Sequence, residues 1–188
     1  MKKTFWFYIA TWFGSGLSPV ASGTAGSLAA LPFAWLIQVY LGSIALFFAA
    51  VAIFFVGWWA SKEYLRHHSS PIRGEAGWGA NGHDNVPPRP HPNPPPTGEG
   101  KEGDPGEIVV DEVAAQWLVL SCIGGLFPMG VSYLVGFLLF RLFDIIKIWP
   151  ASWADEKVHG PLGVMLDDVF AALQAVLVVW FFYLLTHG

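Results

Sequence analysis

The residues able to do chemistry stand in three groups: Asp111–Glu112, the run Phe140–Pro150 with Arg141, Asp144 and Lys147, and Asp167–Asp168. Each group lies near the end of an apolar stretch. On a helix, Arg141, Asp144 and Lys147 are spaced i, i+3, i+6, so each side chain neighbours the next along a slanted ridge. A charge inside a membrane-grade helix costs at least about 2.5–3.5 kcal/mol on insertion scales, and such residues usually face a polar interior. Five carboxylates cannot crowd together ionised without compensation, because like charges disfavour one another's ionisation. A divalent cation is the natural compensation, and Mg²⁺ prefers oxygen ligands of this kind. Asp111, Glu112, Asp144, Asp167 and Asp168 are therefore the candidate metal ligands and catalytic acids. Arg141 as a bidentate clamp and Lys147 as a point charge beside them point to a phosphate-bearing substrate.

A second polar element is Gly14–Gly26, a stretch of small residues that reads as a loop running into a helix at Ser27. It offers backbone N–H groups, Gly23 among them, and the hydroxyls of Ser15, Ser18, Ser22, Thr24 and Ser27 to an anion at a helix N-terminus. It is not a Walker loop, since no Gly-Lys-Ser/Thr follows. The histidines fall in the proline-rich stretch apart from His159 and His187, and no Cys/His set has zinc spacing. Cys122 is the one cysteine and cannot form an internal disulfide. Metal, phosphate cradle and membrane face together read as hydrolysis or transfer at a lipid phosphate.

Each feature also has a plainer account. Acids favour helix N-termini through the dipole, Arg141–Asp144 suits a structural intramembrane pair, His159 suits a connector, and small residues let helices pack closely. It is their placement together that favours a site.

The elements that place them are membrane helices. Of 188 residues, 54% are hydrophobic and only 13% charged, and Thr4 to Ser61 carries no charge, a composition outside the range of ordinary soluble domains. The net charge of −4 and scattered basic residues exclude a nucleic-acid surface. Phe5–Phe13 is too short to span and reads as an interfacial or re-entrant segment. Ser27–Leu41 and Ile44–Ala60 form a hairpin turning at Gly42–Ser43. Ile108–Phe127, Val131–Trp149 and the stretch from Pro161 to Leu185 supply three more helices, with a polar connector at 151–163. The fold class is all-α, a polytopic membrane bundle of about five transmembrane helices plus the short N-terminal segment, and it forms a single domain over residues 1–188. Lys62–Gly106 holds nine of the fourteen prolines and reads as a disordered loop.

Basic residues orient the bundle. Lys2 and Lys3, the cations of the long loop, Lys147 and Lys157 all fall on one side when five spans alternate, which makes that side cytoplasmic. The acidic pairs, the ridge and the Gly/Ser loop then share that face.

In this order, GSGLSPVASGTAGSLAALP, IVVDEVAAQ, FRLFDIIKIWP and HGPLGVMLDDVFAA resemble the phosphatidylglycerophosphatase A family, bacterial Mg²⁺-dependent lipid phosphatases of the inner membrane. The resemblance covers nearly all the chain outside the long loop. It implies hydrolysis of the phospholipid phosphatidylglycerophosphate to phosphatidylglycerol and phosphate. It also places Asp111, Glu112, Asp144, Asp167 and Asp168 on the family's acidic motifs, Arg141 and Lys147 on its basic positions, and Asp104 on a matching position. His159 and the Ser15, Gly23, Thr24 and Ser27 cradle would join in binding the substrate phosphate. Two positions depart from the pattern: Ser22 stands where a proline usually precedes Gly-Thr, and Ala115 where glycine is frequent. A CDP-alcohol phosphotransferase-like enzyme would need DG-x₂-AR followed by G-x₃-D-x₃-D, which is absent. The acid-phosphatase type of lipid phosphatase would need paired Arg and His motifs, also absent. A small cation transporter would hold its carboxylates nearer mid-membrane.

Residues 69–102 sit in a connector that is normally short, and their wording looks like translated repetitive DNA. Deleting them is expected to leave phosphate release in membranes unchanged; lost activity with intact expression would overturn that expectation.

Overall fold

The computed structural model describes residues 2–18, 21–68, 108–158 and 160–187. The long proline-rich stretch, Asp104 and His159 lie outside the described residues. Among those described, the regular elements are helical: α1 Lys2–Ala10, a 3-10 turn at Ser15–Leu17, α2 Ser22–His68, α3 Val110–Ile123, α4 Met129–Ile146, α5 Ala151–Lys157 and α6 Pro161–His187.

α2 is two antiparallel arms. Gly42 breaks it at φ 86°, ψ 172°, a conformation that essentially only glycine adopts. A continuous helix would hold Gly26 and Gly57 roughly 46 Å apart at about 1.5 Å per residue. Yet a Cβ on Gly26 would lie 2.7 Å from Val109 Cβ, and one on Gly57 2.9 Å from Val110 Cγ1. Both arms therefore press on the same end of α3. Beside the turn, Gln38 Nε2 donates to Ser43 Oγ (2.8 Å) and Tyr133 donates its hydroxyl to Gln38 Oε1 (2.9 Å), which ties α4 to the hairpin.

α3 is the hub, and most of its fourteen residues are buried. Val109, Val113, Trp117 and Leu120 pack against Ala30 and Ala34 of the first arm and Leu46 and Ala50 of the second. Ala115, Val119 and Ile123 meet Phe140 of α4 and Ala171, Ala172 and Ala175 of α6. The alanines allow the close approach that stabilises helix packing where solvent offers no hydrophobic drive. A third cluster, Ala10, Ala60, Ile108, Val110, Ala114 and Met165, seats α1 against the bundle.

The outside is apolar: Ile44 is 76% exposed, Leu177 68% and Phe48 66%. Such a surface suits association with a membrane. Among the described residues, three helices are long and apolar enough to cross one, Ser22–Glu63, Met129–Ile146 and Pro161–His187, where about five crossings are expected from sequence. Two features account for the difference. The hairpin runs on as one helical stretch across Gly42, and α3 has 14 residues, about 21 Å, against a hydrocarbon core of about 30 Å.

Other boundaries shift for local reasons. α2 starts at Ser22 rather than Ser27, because the glycines there serve contact with α3 and not a flexible loop. α4 stops at Ile146: Lys147 turns left-handed (φ 48°), its N–H caps Phe143 O at 2.8 Å, and Pro150 follows. The connector at 151–163 contains the short helix α5.

Replacing Gly42 with alanine is expected to lower unfolding stability in detergent by about 1–3 kcal/mol, the strain of that backbone region. Gly130→Ala, where a Cβ meets nothing within 4 Å, serves as the control and should change stability little.

Candidate active site

Four helix ends converge on one polar pocket of about 100 Å³, lined by Ser22, Ile108, Asp111, Glu112, Asp144, Lys147, Val164, Asp167 and Asp168. α3 and α6 present their acids in the same local way. Asp111 Oδ1 accepts the N–H of Glu112 at 3.0 Å, and Asp167 Oδ1 accepts the N–H of Asp168 at 3.0 Å. The first acid of each pair is thereby held by the backbone of the second. The first-turn position of Asp111 and Glu112 also suits the dipole of α3.

The charges divide into three parts. Arg141 pairs with Asp144 at 2.5 Å and stands 4.0 Å from Glu112. Lys147 donates to Asp167 at 2.6 Å and to Asp155 at 3.1 Å. Asp111, Glu112 and Asp168 form the third part, each with a carboxylate oxygen within 4.8 Å of the others. Asp144 lines the same pocket as the trio, so the pair and the trio adjoin.

The trio fits a metal ion. Among the described residues, Glu112 Oε2 and Asp168 Oδ2 are buried with no hydrogen-bond partner. Buried anionic oxygens left unpartnered cost far more than paired ones, so a cation is the species these oxygens suit. Oxygen-only donors favour a hard cation over zinc. On the substrate side, Arg141 Nε is likewise buried and unpartnered, a donor suited to an anion's oxygen. Burial by itself would depress the pKa of Lys147. Hydrogen bonding and charge from Asp167, then from Asp155, outweigh it and raise the pKa above the usual lysine range, so the ammonium stays charged at working pH.

The small-residue element brings its backbone close to the charged groups. Gly23 lies against Glu112 and Arg141: a Cβ there would collide with Glu112 Oε1 and come within 3.1 Å of both Arg141 Nη atoms. Ser22 lines the pocket. Ser27 is buried and its hydroxyl donates to Gly23 O at 2.9 Å, while the Ser15 hydroxyl donates to Thr11 O. Thr24 is half-buried in the first turn of α2. The pocket thus gathers the five acids, Lys147 and Ser22, and Gly23 and Arg141 stand next to its Glu112 and Asp144. Ser15 and Ser27 are bonded within their own segments. Asp155 joins through the left-handed turn at Lys147, which no local sequence pattern announces. Gln116, one turn beyond Glu112 on α3, is fully buried, with both amide atoms unpartnered. Its signal was an amide at i+4 from an acid in an otherwise apolar run.

The family profile described as Phosphatidylglycerophosphatase A matches residues 8–71 and 97–183, more than half of the chain. This chain belongs to that family. It is 31% identical to Phosphatidylglycerophosphatase A of Escherichia coli (strain K12) over 94% of this chain and 82% of that protein. It is 33% identical to the protein of the same name from Haemophilus influenzae over 92% of this chain and 85% of the other. A Bacteroides thetaiotaomicron protein provisionally named a phosphatidylinositol-3-phosphatase is 29% identical over 91% and 89%. No solved structure matches.

Gly23→Ala is expected to cut phosphate release about 100-fold, because it displaces Glu112 and Arg141 by roughly 1 Å. Expression and melting temperature in detergent should stay near wild type, which separates a misplaced site from a failed fold.

Proposed function

We propose that this chain is a membrane phosphatase that hydrolyses phosphatidylglycerophosphate to phosphatidylglycerol and inorganic phosphate, with Mg²⁺ held by Asp111, Glu112 and Asp168. The observation that carries the reading is a cation-suited carboxylate trio beside the Arg141 and Lys147 charges in one pocket. Membership of the phosphatidylglycerophosphatase A family supports the substrate.

When bound, the metal ion supplies Lewis acidity and charge neutralisation at the transferring phosphoryl group. The protein's own groups do the rest. Arg141 presents its guanidinium to the phosphoryl oxygens, and Lys147 fixes the Asp167 and Asp155 side of the pocket. One of the five carboxylates takes a proton from the attacking water as its oxygen bonds to phosphorus. The bond from phosphorus to the glycerol oxygen breaks, and that oxygen leaves with a proton as an alcohol. Below the site an apolar crevice of about 250 Å³ runs between Phe54 and Phe55 of α2, Ala114 and Leu118 of α3, and Leu166 of α6. It has room for part of a lipid acyl chain.

The topology we infer has five crossings: the two arms of α2, then α3, α4 and α6, with α3 sheltered by its neighbours and α1 lying at the interface. The basic residues then mark the site's face as cytoplasmic, in the bacterial inner membrane. Residues 69–102 interrupt this single domain, and the family match passes over 72–96.

Purified protein is expected to release phosphate from phosphatidylglycerophosphate with Mg²⁺ and not with EDTA, and more slowly from a phosphatidylinositol phosphate. Asp168→Asn should lower the rate by at least about 100-fold, the upper end of what losing a mere outer partner costs. Release that persists in EDTA would remove the metal from the reaction.

A further inference from the structure

Gln116 has no account in the chemistry above. Its side chain is fully buried, yet neither Nε2 nor Oε1 finds a hydrogen-bond partner. An apolar residue of the same length would avoid the desolvation cost of an unpartnered amide. Helical spacing places it on the face of α3 that carries Glu112, one turn further in. Glu112 Oε2, the oxygen turned away from a partner, is also buried and unsatisfied. Across the seam, Gly23 touches Glu112, and Ser27, one turn beyond it, is buried with its hydroxyl engaged by Gly23 O. A rotation about the Glu112 and Gln116 side-chain bonds would bring donor and acceptor together, since residues four apart on a helix are direct neighbours.

We propose that Gln116 is a positioning residue: its Nε2 donates to one lone-pair site of Glu112 Oε2, leaving the other sites of that carboxylate for the cation, and sets the orientation in which Glu112 joins Asp111 and Asp168 around it. The proposal rests on the metal-dependent reading above. A carboxylate ligand that is itself hydrogen-bonded holds its metal better, and loss of such an outer partner typically weakens binding or activity about 10–100-fold. An amide buried without a partner of its own, one turn from Glu112, fits this role.

Gln116→Met, similar in length and without hydrogen-bonding atoms, tests this in the full chain in detergent. Mn²⁺ binding read by electron paramagnetic resonance should weaken about 10-fold or more. The Mg²⁺ concentration for half-maximal phosphate release should rise in parallel. In EDTA, the variant's melting temperature should equal or exceed the wild type's, while the upward shift on adding Mg²⁺ shrinks. Gln116→Glu keeps an oxygen but loses the donor and should not restore binding. Unchanged Mn²⁺ affinity in Gln116→Met overturns the proposal, as does a lower melting temperature in EDTA, which marks a structural amide. Wild-type protein that binds no Mn²⁺ would overturn the metal reading itself, a separate result.

Discussion

The structure depends on burying acids at one end of an apolar bundle with too few cations to balance them. Asp111, Glu112, Asp144, Asp155, Asp167 and Asp168 meet Arg141 and Lys147 in or around one small pocket. An uncompensated buried charge costs several kcal/mol, against a total stability of about 5–15 kcal/mol for a typical domain. The two cations can neutralise only part of the set. Closure at this end is therefore unfavourable unless some of the acids take up protons or a further positive charge arrives, and the same imbalance suits the site to a metal ion.

Helix direction eases the problem. Asp111 and Glu112 lie in the first turn of α3, where the helix dipole favours negative charge, whereas Asp167 and Asp168 stand about two turns into α6, beyond its reach. Lys147 closes α4, where the dipole favours a cation. An alternating bundle brings these ends to one face without any further device. The dry packing sits elsewhere on α3, in contacts of Ala115 and Val119 with the alanines of α6 and of Val113 and Trp117 with α2. One helix thus carries both the rigid core and the strained polar seam, so the core can hold the seam in register.

Much of this was legible in the sequence. Charges in apolar runs are conspicuous, the Gly42–Ser43 pair marks the hairpin turn, and alternating spans collect the acids and the ridge at one end. What stayed hidden depends on contacts between segments. The i, i+3, i+6 spacing carries Lys147 along the α4 ridge, yet its left-handed turn swings it to Asp155 and Asp167. Gly23 resembles a loop residue by composition, and only the approach of Glu112 and Arg141 shows why a side chain is excluded there. Hydroxyl counts do not tell which side chains of the Gly/Ser element are engaged locally, since a helix can bond Ser27 to its own carbonyl. The length of α3 is set by Gly124 and the turn before Pro128, with no change in hydropathy to mark it.

The unpartnered buried atoms argue that this end of the protein is shaped for what it binds. Glu112 Oε2, Gln116 Oε1 and Nε2, Arg141 Nε and Asp168 Oδ2 come from α3, α4 and α6, and three of the five belong to charged groups in or beside the pocket. A fold optimised for stability would pair such atoms or replace them with carbon. Acceptors on Glu112 and Asp168 suit a cation, whereas the donor on Arg141 suits an anion, so one kind of ligand cannot satisfy them all. A metal ion together with a phosphate group can. The pattern of unmet hydrogen bonds therefore favours a site that loads two oppositely charged species side by side, which is the requirement of metal-assisted phosphate hydrolysis and not of a simple cation channel.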